Sequence, residues 1–350
     1  MKYIKSPIWY SGFILLSINV LGQTGLSPDR YTSAYKKYEN ATCPVKNNNI
    51  KNYVYFSRDR EAIKDHPFLK APKFEGAQIM YSWKSLEPEK GKYDFSEIRE
   101  DLQYLSSKGK KLFIQLQDTT FDPQLQAVPK YLLTQEYHGG AVIMLQDNGE
   151  PDGWTAKRWD SNVQKRFALL LQALGKEFDG KIEGINLQES SIGDVKDQSF
   201  SPEIYFKSLK INMLAMKKAF KKSITMQYAN FMPGESLPED DKGYLRGLYK
   251  YGQQIGVGLG GPDLMVKRRP HLNNTIAVMH EGKYTVPLGI AVQDGNYTND
   301  TDNSKIVQDH ENIVPLLSAF ADDFLKVNYM FWVNQEPYFI EDVLPCFSSK

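Results

Sequence analysis

The chain of 350 residues carries 43 Lys and Arg against 42 Asp and Glu, with five His, two Cys and 13% aromatic residues. A formal charge of +1 supplies no basic field of the kind that neutralises phosphates, so no nucleic-acid partner is expected. Two cysteines without a C-x-x-C pair or a Cys/His cluster exclude a disulfide-rich scaffold and a structural zinc site.

Residues 1–22 open with Lys2 and Lys5, continue through an apolar run from Ile8 to Leu21, and leave through Gly22-Gln23. That is the basic, apolar and small-residue order of a secretory signal peptide, and the run falls short of the roughly 20 residues of a bilayer span. The expectation is a secreted or periplasmic protein with no integral membrane segment once the signal is removed. In an oxidising compartment Cys43 and Cys346 are able to pair if the fold brings the chain ends together; two unpaired buried thiols are the alternative.

Residues 23–50 show no clean apolar period and read as a leader that wraps or trails. From there to residue 350 short β-type runs alternate with longer helical patterns. Strands are expected at Tyr53–Phe56, Gly76–Trp83, Lys111–Gln117, Ile182–Leu187, Ile224–Tyr228, Gly256–Gly260, Pro287–Gln293 and Tyr329–Val333. Between them Ser96 is positioned to cap a helix that runs to Ser107 and stops at Gly109. Asp160 starts another, in which Phe167, Leu170, Leu171 and Leu174 form a stripe at i, i+3, i+4 and i+7. Ser201-Pro202-Glu203 is a helix N-terminus, and further helices are expected at about 239–254 and 310–325. Eight strand–helix units predict a closed (β/α)8 TIM barrel, a single domain with enlarged loops. The rival, an open doubly wound sheet that binds a nucleotide, needs a Gly-rich turn after its first strand, yet Phe56 is followed by Ser57-Arg58-Asp59-Arg60. The later run from Gly256 to Gly261 lacks a P-loop lysine and reads as close backbone packing.

Function in such a barrel sits at the C-terminal strand ends. There the chain places Trp83, Asp118, Gln188, Glu189, Tyr228, Asn230, Asp263, Gln293, Asp294 and Trp332. Carboxylates and amides bond hydroxyls in pairs, and an indole face stacks on the C–H face of a pyranose, so a carbohydrate substrate is expected. For Asp118 and Asp263 a helix-capping or salt-bridging role is the competing reading, and Glu87 reads as the anchor of a loop. His66, His138, His271, His280 and His310 lack ligand spacing, so no metal and no cofactor are expected.

The stretch Trp83-Lys84-Ser85-Leu86-Glu87-Pro88-Glu89-Lys90-Gly91-Lys92-Tyr93-Asp94-Phe95 resembles the W-x-x-L-E-P-x-x-G-x-Y-D-F segment of retaining clan-A glycoside hydrolases, in particular the β-galactosidase-like ones. Val128-Pro129-Lys130-Tyr131-Leu132 is similar to the family's P-x-W-L loop, with Tyr131 in place of tryptophan. The resemblance spans about residues 75–135. It implies an acid/base glutamate at the end of the fourth strand, where Glu189 stands, and a nucleophile at the end of the seventh. Gln188 replaces the asparagine that precedes the family's acid, and the seventh strand offers only Gln293 and Asp294. Hydrolysis uses one protonated and one ionised carboxyl, so Glu189 and Asp294 form the expected catalytic pair, with Trp83, Asp118, Gln188, Tyr228, Asn230, Asp263, Gln293 and Trp332 around the sugar. Two other functions stay open: an inactive barrel that only binds glycan, and a polysaccharide lyase using Tyr228 or a carboxylate as base.

Overall fold

The computed structural model describes residues 25–301 and 310–348; the expected signal peptide lies outside the described residues. Eight parallel strands close into a barrel in sequence order: β1 (Lys51–Tyr55), β2 (Phe74–Ser82), β3 (Lys111–Gln117), β4 (Gly184–Leu187), β5 (Ile224–Tyr228), β6 (Gly258–Gly261), β7 (Leu288–Val292) and β8 (Tyr329–Val333). All eight fall within a few residues of the expected runs. Helices α1 (Ser96–Ser107), α2 (Ser161–Phe178), α3 (Pro202–Ala219), α4 (Tyr244–Ile255), α5 (Thr275–Glu281) and α6 (Val314–Ala319) cover the outside. Short 3₁₀ turns at Arg60–Ile63 and Pro67–Lys70 occupy the β1–β2 crossover.

The strand ladders fix which side chains enter the barrel, because alternate residues face opposite sides. Tyr53 of β1, Phe113 of β3 and Phe331 of β8 meet inside it, with ring centroids 5.0 Å apart for Phe113–Phe331 and 5.9 Å for Tyr53–Phe113. Rings of this size fit because small residues stand opposite. A Cβ on Gly184 would lie 2.7 Å from the Phe113 ring, and one on Gly260 would lie 2.3 Å from the Gly289 carbonyl oxygen. The glycines of β6 therefore serve backbone packing. Below the aromatic layer, Glu183 accepts from Lys51 Nζ at 2.7 Å and from the Tyr329 hydroxyl at 2.7 Å, with Lys111 Nζ at 3.1 Å, so charged groups occupy the N-terminal end.

Local signals set the helix boundaries, with two displacements. Asp160 caps α2 by accepting from the backbone N–H of Asn162 and Val163, and the expected stripe is its buried face. Ser201 caps α3 through Ile204 N–H. Ser96, expected as a cap, is instead the first residue of α1, and Asp94 accepts both its N–H and its hydroxyl. Helix α4 begins at Tyr244 rather than 239, because Glu235 accepts from the N–H groups of Lys242, Tyr244 and Leu245 and holds the intervening turn.

The leader wraps the barrel: Pro28 C=O accepts from Asn273 Nδ2 at 2.7 Å and the Tyr38 hydroxyl donates to Asp323 at 2.7 Å. Cys43 and Cys346 form a disulfide across 303 residues of sequence. Among the described residues no helix is long and apolar enough to cross a membrane. Cross-linking so long a loop removes about 6 kcal/mol of unfolded-chain entropy in the loop-closure model, of which real disulfides deliver about 2–4. Cys43→Ser is expected to lower the melting temperature by several degrees, and reductant should bring the wild-type protein down to the variant while leaving the variant unchanged. Calorimetry with and without reductant checks this.

Candidate functional site

Glu189 follows β4 by two residues, and the end of that strand is tied to both of its neighbours. Gln188 Oε1 accepts from the backbone N–H of Asp118 at 2.9 Å and of Thr119 at 2.8 Å, just past β3. Gln188 C=O accepts from Gln227 Nε2 of β5 at 2.7 Å. Arg158 fixes the same corner from behind. Its guanidinium donates to both Asp118 oxygens at 2.8 and 2.6 Å, to the Glu189 carbonyl at 2.8 Å and to the Tyr205 hydroxyl at 2.8 Å.

The Glu189 carboxylate accepts from Asn230 Nδ2 at 2.6 Å. Burial, then the negative charge of Asp263, push this carboxyl up to about 8, against the opposing Asn230 hydrogen bond and Arg158 charge. Asp263 is itself pushed up to about 6 by burial, although Asn296 Nδ2 donates to it at 3.1 Å. Near neutral pH the pair therefore holds a protonated Glu189 beside an ionised Asp263, a division that suits a proton donor.

In front of Glu189 lies a cleft of about 170 Å³ whose walls include Tyr55, Arg58, Gln117, Thr120, Phe121, Gln188, Tyr228, Gln293 and Asp294. Its floor is a polar layer. The Tyr55 hydroxyl donates to Gln115 Oε1 at 3.0 Å, and Gln78 Nε2 donates to Asn186 Oδ1 at 2.9 Å and to the Tyr228 hydroxyl at 3.3 Å. The Tyr55 phenol is pushed up by burial first and also by the charges of Asp294 and Glu189, so both carboxylates act on the same floor residue.

The structure brings Glu189, Asp294, Gln188, Tyr228 and Gln293 to this cleft, with Asn230 bonded directly to Glu189 and Asp263 beside Glu189. Two expectations need correction. Trp83 is fully buried, donates its indole N–H to Glu87 at 2.9 Å and packs on Phe167, so it lines no cleft. Trp332 faces out of the barrel, where its N–H donates to Asn52 at 3.0 Å and its ring meets Phe347. Asp118 is held by Arg158 in a bidentate ion pair, the salt-bridging alternative in its sequence reading. Asp263 accepts from Asn296 and presents its negative charge to Glu189. Glu87 anchors its loop, as read, by accepting from Trp83 and from Gly91 N–H and pairing with Arg166.

Sequence reasoning missed Tyr55, Arg58, Phe121 and the Arg158 anchor. Phe121 directly follows one strand of a small sheet, also unforeseen, in which Pro151–Ala156 pairs antiparallel with both Thr119–Thr120 and Ala141–Leu145. Among the described residues no group of three His, Cys, Asp or Glu side chains is arranged to hold a metal ion.

No protein-family model matches the sequence, and no curated protein matches it. Solved structures do share its architecture. The catalytic domain of a β-amylase from Paenibacillus polymyxa aligns over 86% of this chain and all of its own, at 10% identity and a TM-score of 0.54. Endo-glycoceramidase II of Rhodococcus sp., as its lactosyl-enzyme intermediate, covers 83% of this chain and 75% of its own, at 11% identity and a TM-score of 0.51. A GH5_18 protein of Streptomyces cattleya in complex with GlcNAc covers 83% and 71%, at 9% identity and a TM-score of 0.50. The fold is thus a (β/α)8 barrel shared with these proteins, and at such identities the likeness extends to the fold alone.

The raised Glu189 carboxyl carries a stability signature independent of any reaction. Its usual value is 4.5 and its value in the fold about 8, so the folded state holds this proton more tightly; the stabilisation is complete below 4.5 and is lost as pH rises through 8. Glu189→Gln should therefore melt above the wild type at pH 9, with the gap closing by pH 4. Thermal scans across that range check the expectation, and a gap that does not vary with pH contradicts it.

Proposed function

We propose that this protein is an exported glycoside hydrolase acting on an oligo- or polysaccharide, with Glu189 as general acid and Asp294 as the second carboxylate. The observation that carries the reading is a carboxyl at the end of β4, held protonated near neutral pH, in a cleft it shares with Asp294. Glu189 gives its proton to the glycosidic oxygen as the bond to the anomeric carbon breaks. Asp294 then supplies the electron pair, by attacking the anomeric carbon or by taking a proton from the water that does. Asn230 orients the acid, and Asp263 keeps it protonated by its charge. The clan-A-like segment at 83–95, the shared barrel and the amide-rich walls support the same reading. The Cys43–Cys346 disulfide supports export to an oxidising compartment.

The test is hydrolysis of a panel of polysaccharides and aryl glycosides. Glu189→Gln is expected to lower turnover of natural linkages by about 10²–10⁴, the contribution of a positioned general acid. The loss should be far smaller for dinitrophenyl glycosides, whose leaving group departs without a proton. Turnover by the wild type should fall as pH rises through about 8, and Asp263→Asn should move that limb to lower pH, because the charge that holds the proton on Glu189 is gone. Sugar binding without turnover of any substrate would point to a glycan-binding barrel, and an unsaturated product absorbing in the near ultraviolet to a lyase; either result refutes hydrolysis.

A further inference from the structure

We infer that Phe121 is the stacking platform of this cleft, the surface on which the C–H face of a neutral pyranose ring rests while its glycosidic oxygen meets Glu189. The inference rests on the hydrolase reading for the identity of the reacting group. The platform itself stands on separate observations.

Phe121 lines the cleft that holds Glu189 and Asp294, yet it is 50% exposed. Of the aromatic rings expected at the sugar, Trp83 and Trp332 are fully buried elsewhere and Tyr228, though it lines the cleft, is buried in its floor. The exposure of Phe121 is built in by its surroundings. Thr120 bonds backward to its own turn, donating to Leu125 C=O at 2.7 Å, and Thr119–Thr120 is locked to Pro151–Ala156 in the small sheet. A Cβ on Gly153 would lie 1.9 Å from the Thr120 carbonyl oxygen and 2.8 Å from Phe121 Cα, so only glycine lets the two strands approach this closely. Trp154 closes the far side of the turn by donating its indole N–H to Pro123 C=O at 2.9 Å. The ring is thus carried by a braced turn whose root, at Thr119 N–H, is bonded to the residue before Glu189. The platform and the acid share one rigid frame.

Chemistry selects the occupant. An exposed aromatic face in one cleft with Gln117 and Gln293 offers one apolar surface with hydroxyl-bonding groups beside it. That pairing matches a pyranose, which carries an apolar C–H face and a polar rim.

The test uses the full chain carrying Glu189→Gln, so that sugar binds without turnover, with and without Phe121→Ala, Phe121→Leu or Phe121→Trp. Calorimetry measures binding of cellotetraose, xylotetraose, maltotetraose and a β-1,4-galactotetraose. For a sugar that binds, Phe121→Ala and Phe121→Leu are expected to weaken the Kd about tenfold, and Phe121→Trp to keep or tighten it. Leucine preserves apolar bulk, so equal binding by Phe121→Leu and the parent would overturn stacking. Unchanged binding by Phe121→Ala would remove the platform and leave the hydrolase reading standing. Turnover of one of these sugars by the wild type with loss confined to Glu189→Gln would likewise confirm the acid and refute the platform. Failure of the parent to bind any of the four, with no turnover by the wild type, would overturn both.

Discussion

The cleft depends on one buried cation. Arg158 sits at the junction of the small sheet and the barrel, and its guanidinium satisfies Asp118 at the end of β3, the backbone carbonyl of Glu189 at the end of β4 and the hydroxyl of Tyr205 on α3. A bidentate arginine–carboxylate pair is geometrically specific. Breaking such a pair inside a protein costs about 3–5 kcal/mol, mostly because the partner left behind is charged and dry. The pair is thereby a fixed point from which two strand ends and the wall insert are measured.

Placement of charge around Glu189 follows from that geometry. Arg158 lies behind the backbone of Glu189 and is largely neutralised by Asp118, so its pull on the acid is weaker than the combined push of burial and Asp263. Were Asp118 absent, the cation would face the carboxyl with its full charge and favour ionisation. The carboxylate that serves the structure and the carboxylate that biases the Glu189 carboxyl are thus different residues, past the ends of different strands, with opposite consequences for the site.

The barrel was legible because β-branched and aromatic runs alternate with helical stripes over the whole chain, and the strand ends followed at once. Side-chain direction was not. Tyr53, Phe113 and Phe331 point inward, and the period of two then sends Trp332 outward. Trp83 leaves the sheet as the first residue of a short helix and turns into the core. The small sheet was hidden because its strands are brief and interrupted by Pro151 and Gly153, and because strand pairing across 30 residues leaves no local period. Phe121 sat between threonine and Asp122-Pro123, where nothing in the sequence marks a ring as exposed. Asp118 and Arg158 lie 40 residues apart, and only the fold joins them.

These elements converge on a single claim, that the carboxyl of Glu189 is a proton reservoir at the mouth of the barrel. A carbon-13 NMR titration of the protein labelled at glutamate side chains, with Glu189→Gln identifying the resonance, measures it directly. With Glu189 protonated near neutral pH, the midpoint falls near pH 8. A midpoint at or below the ordinary 4.5 would mean an ionised Glu189 at neutral pH and would contradict the assignment of this residue as the acid.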